Sequence, residues 1–109
     1  MLKQMYVSGS LCNTDTGIRF KVQNPFLDGT ITAVLKVAIN GTAYDLTQIR
    51  AAGWGAETVT AEAPVNFPRG ADLEVDIVAE QLPSGRHNLY FKVQTAEFGP
   101  LKVEVYDRI

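Results

Sequence analysis

Few side chains in this 109-residue sequence could do acid–base, nucleophilic or metal chemistry. It contains one histidine, His87, and one cysteine, Cys12. A metal site needs several ligands, and a nucleophilic triad needs a histidine as its base. Any such site would depend on His87, which directly follows a turn and is typical of the start of a strand. The sequence therefore predicts no catalytic residue, no bound cofactor and no metal in this chain.

Cys12 and a row of carboxylates are the remaining reactive groups. Cys12 lies beside a polar turn, where its thiol is either reactive or simply a small half-buried group. Asp72, Glu74 and Asp76 alternate along one predicted strand and share a face. Such a row could bind calcium or a basic partner, but charges of this kind commonly form the solvated face of an outer strand. We expect the solvated face.

The tyrosines suggest contact rather than catalysis. Tyr6, Tyr90 and Tyr106 fall on the polar phase of their strands, so we expect their rings on outer sheet faces. Tyrosine is common at interfaces, although it also simply favours strands. With Lys92 and Lys102 beside them, Tyr90 and Tyr106 are predicted to help form a partner interface.

Trp54 lies between two glycines in the least regular part of the chain, from Thr47 to Gly55. Its ring is expected either to cover the open end of the fold or to join the partner interface. Asn40-Gly41-Thr42 matches a glycosylation sequon. We expect this segment to be a hairpin turn instead, because a type I′ turn needs positive φ at both central residues and Asn-Gly supplies it.

Apolar residues recur at every second position, which is the pattern of half-buried strands. Ile18, Phe20 and Val22 alternate with Arg19 and Lys21, for example. About eight short strands follow one another, and most linkers are too short for parallel crossovers. The sequence predicts one all-β domain over residues 1–109, an antiparallel two-sheet β-sandwich, with a small β-barrel as the alternative. The predicted core consists of Phe20, Leu35, Val37, Val75, Ile77, Leu89, Phe91 and Val103.

Several boundaries follow from the same alternation. Strands are predicted over 5–11 and 57–61, with a turn at 13–17 and a loop at 64–70. The turn at 98–100 is expected to join two hairpin strands, which would place Tyr90 and Tyr106 on one sheet.

Composition excludes several classes of protein. The formal net charge is −2 and the charged fraction 20%, without the basic stripe that nucleic-acid binding demands. No apolar run approaches the roughly 20 residues of a membrane span. The single cysteine cannot form an internal disulfide, and the first residues lack a signal-peptide pattern. We therefore expect a cytoplasmic protein that binds neither nucleic acid nor membrane.

One set of turns and strand ends runs through most of the chain. It consists of Gly9-Ser10-Leu11-Cys12-Asn13, Asp15-Thr16-Gly17-Ile18-Arg19-Phe20, Asn24-Pro25-Phe26, Asn40-Gly41 and Leu82-Pro83-Ser84-Gly85-Arg86-His87. Together these segments resemble the small β-subunit of C-glycoside deglycosidases, and they contain no diagnostic catalytic motif.

The resemblance implies a β-sandwich subunit that pairs with a larger, metal-dependent barrel related to sugar isomerases. Such a pair cleaves the carbon–carbon bond between a 3-oxidised sugar and an aromatic aglycone. A divalent metal and the acid–base groups are then implied only for the larger subunit, and no catalytic residue carries over to this chain.

The leading hypothesis is a non-catalytic accessory subunit of a carbohydrate-active enzyme. A carbohydrate-binding or adhesion-type module is the first alternative, with Trp54 stacking on sugar rings. A self-associating structural domain, which would form a homo-oligomer, is the second. An independent enzyme has the least support.

Overall fold

Two antiparallel sheets pack face to face in the computed structural model, which describes residues 2–51 and 53–109. The described residues contain short 3₁₀ turns at Leu2–Met5, Leu46–Gln48 and Ala56–Thr58, and none of their helices is long and apolar enough to cross a bilayer. The strands are β1 (Cys12–Thr14), β2 (Gly17–Gln23), β3 (Gly29–Ile39), β4 (Thr42–Ala43), β5 (Ile49–Ala51), β6 (Trp54–Gly55), β7 (Val65–Phe67), β8 (Asp72–Val78), β9 (Arg86–Thr95) and β10 (Gly99–Arg108).

The strand order confirms the predicted sandwich. One sheet has the order β1-β2-β8-β5-β6, and the other has the order β10-β9-β3-β4, with β7 also paired to β3. The sheets do not close into a barrel in the part of the chain that is described, so the barrel alternative is wrong. β9 and β10 form a hairpin, as predicted, but the turn lies at 96–98 rather than at 98–100, because Gly99 already pairs with Thr95 in β10.

The core lies between the inner faces of the sheets. Phe20 of β2 and Phe91 of β9 bring their rings to 6.0 Å, centre to centre, and link the two layers. Fully burying a side chain of this size contributes roughly 1.5–3 kcal/mol. All the predicted core residues except Leu35 are buried.

Leu35 points outward because β3 is irregular. It is 45% exposed. The pairing of β3 with β9 shifts register between Ile31 and Ala33 and again between Val34 and Lys36. Each β-bulge adds a residue and reverses the side-chain phase that follows it. The prediction that Leu35 lies in the core is therefore wrong, because it assumed an alternation that the two bulges interrupt.

The first predicted strand, over 5–11, is also wrong. The chain makes a 3₁₀ turn at Leu2–Met5 and bends again at Gly9, where φ is 81°. Regular pairing begins only at Cys12, opposite Arg19, and Asp15-Thr16 forms the tight turn. Asn13 and Thr14 therefore belong to β1 rather than to the predicted turn.

Two further boundaries needed correction. The segment at 57–61 is not a strand, since the Val59 N–H donates to the Ala56 carbonyl at 3.3 Å and closes a 3₁₀ turn. The predicted loop at 64–70 contains β7, whose three residues pair with the start of β3. The flanking prolines lie just outside this strand, where they remove no ladder hydrogen bond.

The Asn40-Gly41 turn is confirmed. Asn40 has φ 54° and Gly41 has φ 83°, and Ile39 pairs with Thr42 across the hairpin. The Asn40 side chain also forms a hydrogen bond with His87.

Candidate interaction site

An apolar cleft of about 270 Å³ opens where the β2–β3 loop, the β9–β10 turn and the N-terminal 3₁₀ turn meet. We call it the end cleft. Its lining is mostly apolar and includes Leu2, Met5, Phe26, Leu27, Ile31, Phe67, Val93, Phe98 and Leu101.

Large apolar side chains stay exposed at the rim of the end cleft. Leu27 is 60% exposed and Phe98 is 49% exposed, while Leu2, Phe26 and Leu101 are partly buried beside them. Single exposed apolar residues are ordinary, but a contiguous group around a cavity marks an interaction site. The signal in the sequence is that large apolar residues occur in turns. The alternation pattern applies only to strands, so it did not identify Leu27 and Phe98.

Hydrogen bonds hold the rim in place. The buried Asn24 amide donates to the carbonyls of Leu27 and Phe67, both at 2.7 Å, and its Oδ1 accepts the Phe26 N–H at 3.0 Å. The Phe98 N–H donates to Thr95 Oγ1 at 3.0 Å. A rim ordered in advance loses less conformational entropy when a partner binds.

Glu97 fastens the two rim segments to each other. Its carboxylate accepts the Thr30 hydroxyl and the Thr30 N–H, both at 2.8 Å. These bonds lower the pKa of Glu97 below its ordinary value. The turn that carries Phe98 is thus tied to the first residues of β3.

The predicted tyrosine and lysine residues do share one outer face. Tyr90 lies opposite Glu104, and Lys92 lies opposite Lys102, on the β9–β10 hairpin. Tyr106 follows on the same side and is 59% exposed. No observation tests whether a partner covers this face, so the interface of Tyr90, Lys92, Lys102, Tyr106 and Trp54 stays a prediction.

A row of lysines crosses this outer face. Lys36 of β3 lies opposite Lys92, which lies opposite Lys102. Like charges directly opposite one another are destabilising. Within 2–51 and 53–109, no carboxylate comes within 4.0 Å of these ammonium groups. The Lys36 Nζ instead lies 5.6 Å from the centre of the Tyr90 ring.

Trp54 lies apart from that face, since β6 is an edge strand of the other sheet. Its ring helps line a second apolar cavity, of about 70 Å³, between the sheets, and the residue is 38% exposed. It therefore covers part of the core and keeps part of its surface free.

His87 is a buried structural residue. The orientation of Asn40 is fixed because its Oδ1 accepts the Asn88 N–H at 3.0 Å. Its amide therefore donates to His87 Nδ1 at 2.9 Å, and His87 Nε2 donates to the Pro83 carbonyl at 2.7 Å. Both ring nitrogens are hydrogen-bonded, which fixes the orientation of the ring.

Tyr6 was predicted to face outward and does not. It is 4% exposed, and its hydroxyl donates to the Asp107 carboxylate. Burial, together with this bond, raises its pKa. Burial opposes ionisation of Asp107, but the hydrogen bonds from Tyr6 and from backbone N–H groups outweigh that effect and lower its pKa.

The acidic row does not lie on an outer strand. β8 is the middle strand of its sheet, between β2 and β5. Arg19 pairs with Asp76 at 2.7 Å, and Glu74 lies 3.7 Å from Arg19 and 4.0 Å from Lys21. Cross-strand ion pairs of this kind account for Glu74 and Asp76. Asp72 and Glu74 are exposed, so the row does form a solvated face, although not on an outer strand.

The remaining reactive groups are Cys12 and the side chains that could bind a metal. Cys12 is exposed on β1 rather than half-buried. Among the described residues, no group of three or more histidine, cysteine or carboxylate side chains could hold a metal ion.

Comparison with known families gives one match. The family model described as hydroxymethylglutaryl-CoA reductase, N-terminal domain, matches residues 1–109. A search of curated proteins finds no match. The family match overturns the resemblance to the deglycosidase β-subunit, and with it the expected subunit of a C-glycoside-cleaving lyase. Turns and alternation are common to antiparallel sandwiches, so they could not distinguish one sandwich family from another.

Proposed function

This chain belongs to the family of the hydroxymethylglutaryl-CoA reductase N-terminal domain, and on that premise we propose that it is a contact domain of such a reductase. It packs against the remainder of the enzyme, on the same chain or on another, through the end cleft. The larger enzyme partner expected from the sequence is kept in this proposal, with the catalytic part of the reductase in place of the barrel.

The exposed apolar rim of the end cleft carries the proposal. Leu27 and Phe98 are about half exposed although they border a cavity. Fully burying such a side chain contributes roughly 1.5–3 kcal/mol, so covering each of these contributes on the order of 1 kcal/mol. At about 270 Å³, the cleft is smaller than most ligand pockets, which start at roughly 300 Å³. A few apolar side chains of a partner suit it better than a whole coenzyme does.

The two described cavities do not suit the coenzyme A thioester that a reductase of this family would bind. A coenzyme A thioester carries phosphate groups, which arginine, lysine and free backbone N–H groups bind. No arginine or lysine lines either cavity among the described residues, and the amide of Asn24 is already bonded. We therefore assign hydride transfer and coenzyme A binding to the remainder of the reductase.

Matched serine substitutions test the contact. Leu27→Ser and Phe98→Ser should each weaken binding to the remainder of the reductase about fivefold. Val78→Ser is the control, because Val78 is 50% exposed and does not line the end cleft. Binding is measured by calorimetry and folding by thermal melting. Unchanged affinity in both cleft variants, or an equal loss in Val78→Ser, would overturn the proposal.

A further inference from the structure

β10 is the long edge strand of its sheet, and the 3₁₀ turn at Leu2–Met5 packs near it. It has ten residues, whereas β1 and β7 have three each and β4 and β6 have two. Its one strand neighbour among the described residues is β9. Proteins usually keep such edges short, because free N–H and C=O groups attract another strand.

The hydrogen-bond phase shows which groups of β10 face the open edge. Gly85 and Ile109 exchange both backbone bonds, at 3.2 and 3.0 Å. The register then runs without a shift from Arg86–Arg108 to Thr95–Gly99. Because bonded and non-bonded pairs alternate in an antiparallel ladder, the odd-numbered residues of β10 bond to β9 and the even-numbered residues face away.

Arg108 supports this assignment and limits the open segment. Its N–H faces the edge and donates to Asp107 Oδ1 at 2.8 Å. Pro100 has no N–H to offer. The N–H and C=O groups of Lys102, Glu104 and Tyr106 remain, with no hydrogen-bond partner in the described part of the chain.

We infer that a second copy of this chain pairs with β10 along this edge. An antiparallel pair centred on Val103 places Lys102 opposite Glu104 of the second copy, and Glu104 opposite its Lys102. Lys102 and Glu104 of both copies then form backbone hydrogen bonds through the groups that face the edge. Their opposite charges are direct neighbours. Centring the pair one residue further on would set Glu104 against Glu104, which is unfavourable.

The pairing also relieves the lysine row. Lys102, which lies opposite Lys92 within its own sheet, gains the carboxylate of the second Glu104 on its other side. Tyr106 comes to lie opposite Pro100 of the second copy. The Tyr106 ring already packs against the Arg86 guanidinium, 4.2 Å from its centre. The outer faces of the β9–β10 hairpins of the two copies then form one continuous surface.

A charge exchange tests the register. Glu104→Lys and Lys102→Glu should each raise the dimer dissociation constant about tenfold, because two opposite-charge pairs become two like-charge pairs. Combining both substitutions restores the opposite pairs and should restore the dimer. Sedimentation at several concentrations and low salt measures the association. A chain that is monomeric throughout, or a double variant as weak as the singles, would overturn the inference.

A backbone substitution separates strand pairing from charge. Glu104→Pro removes an edge-facing N–H that β9 does not use, so it should abolish the dimer and leave the melting temperature of the chain nearly unchanged. Leu27→Ser, in the end cleft, should leave dimerisation unaffected, which keeps this inference distinct from the proposed function. A dimer that persists in Glu104→Pro would contradict strand pairing at β10.

Discussion

The hydroxyl of Tyr6 donates a hydrogen bond to Oδ2 of Asp107, which joins residues 101 positions apart in the sequence. The same oxygen accepts the Gly9 N–H at 2.9 Å. One carboxylate near the end of β10 therefore fastens the N-terminal segment, which also supplies Leu2 and Met5 to the end cleft. The attachment therefore involves the same segment that lines one side of the cleft, although none of the bonded groups lines it.

Tyr6→Phe tests the attachment. The ring stays and the hydroxyl is lost, so stability should fall by about 1–3 kcal/mol, the range for a hydrogen bond to a charged group. Denaturant unfolding measures the change. Tyr106→Phe is the control, since its ring lies 59% exposed on the surface and its loss of hydroxyl should change little. Equal stability in all three proteins would show that the bond contributes nothing.

Acid should weaken the same attachment. The folded pKa of Asp107 is lowered, so its stabilising effect is present above its unfolded pKa, roughly 4, and is lost as pH falls through the lower folded value. The parent should therefore lose stability below about pH 4, and Asp107→Asn should lose less over that interval. Melting curves from pH 6 to pH 2 measure this difference. Parallel curves for the two proteins would contradict it.

Gly17 is required for steric reasons. A Cβ atom there would lie 2.0 Å from the Ile77 carbonyl oxygen and 2.8 Å from the Ala79 nitrogen. Gly17→Ala should cost about 3 kcal/mol or more, because backbone must move. At Gly29 the nearest atom would be 3.7 Å away, so Gly29→Ala is the matched control. Equal melting temperatures for the two variants would contradict the close approach of β2 and β8.

The outer face of β9 and β10 remains a predicted interface. Tyr90→Ala combined with Lys92→Glu should weaken assembly with the remainder of the reductase and leave the fold intact, because it removes an aromatic contact and reverses one charge of the lysine row. Light scattering with and without that partner measures assembly. If assembly and melting temperature both stay unchanged, the face is ordinary solvent-exposed sheet.

Alternation predicted most of the fold because each sheet has one buried face. Phe20, Val75 and Phe91 followed directly from period two. Leu35 did not, since a bulge depends on pairing with β9 that no local pattern shows. Tyr6 failed for a related reason, because its partner Asp107 lies at the far end of the chain.

The site was less predictable than the fold. Tyr90 and Tyr106 could be placed on one face from a single hairpin. The end cleft could not, because Leu27, Phe98 and Leu2 come together from three separate turns. Family membership was equally hidden, since turns such as Asn40-Gly41 serve many sandwiches.

Methyl resonances give the most direct test of the contact proposal. In a chain with labelled leucine and valine, titration with the remainder of the reductase should shift or broaden the signals of Leu2, Leu27 and Leu101 around the end cleft. Val78, which is 50% exposed and does not line the cleft, should keep its signal. That pattern is the predicted result. Unchanged cleft signals at saturating partner, or changes at Val78 alone, would contradict the contact role of this domain.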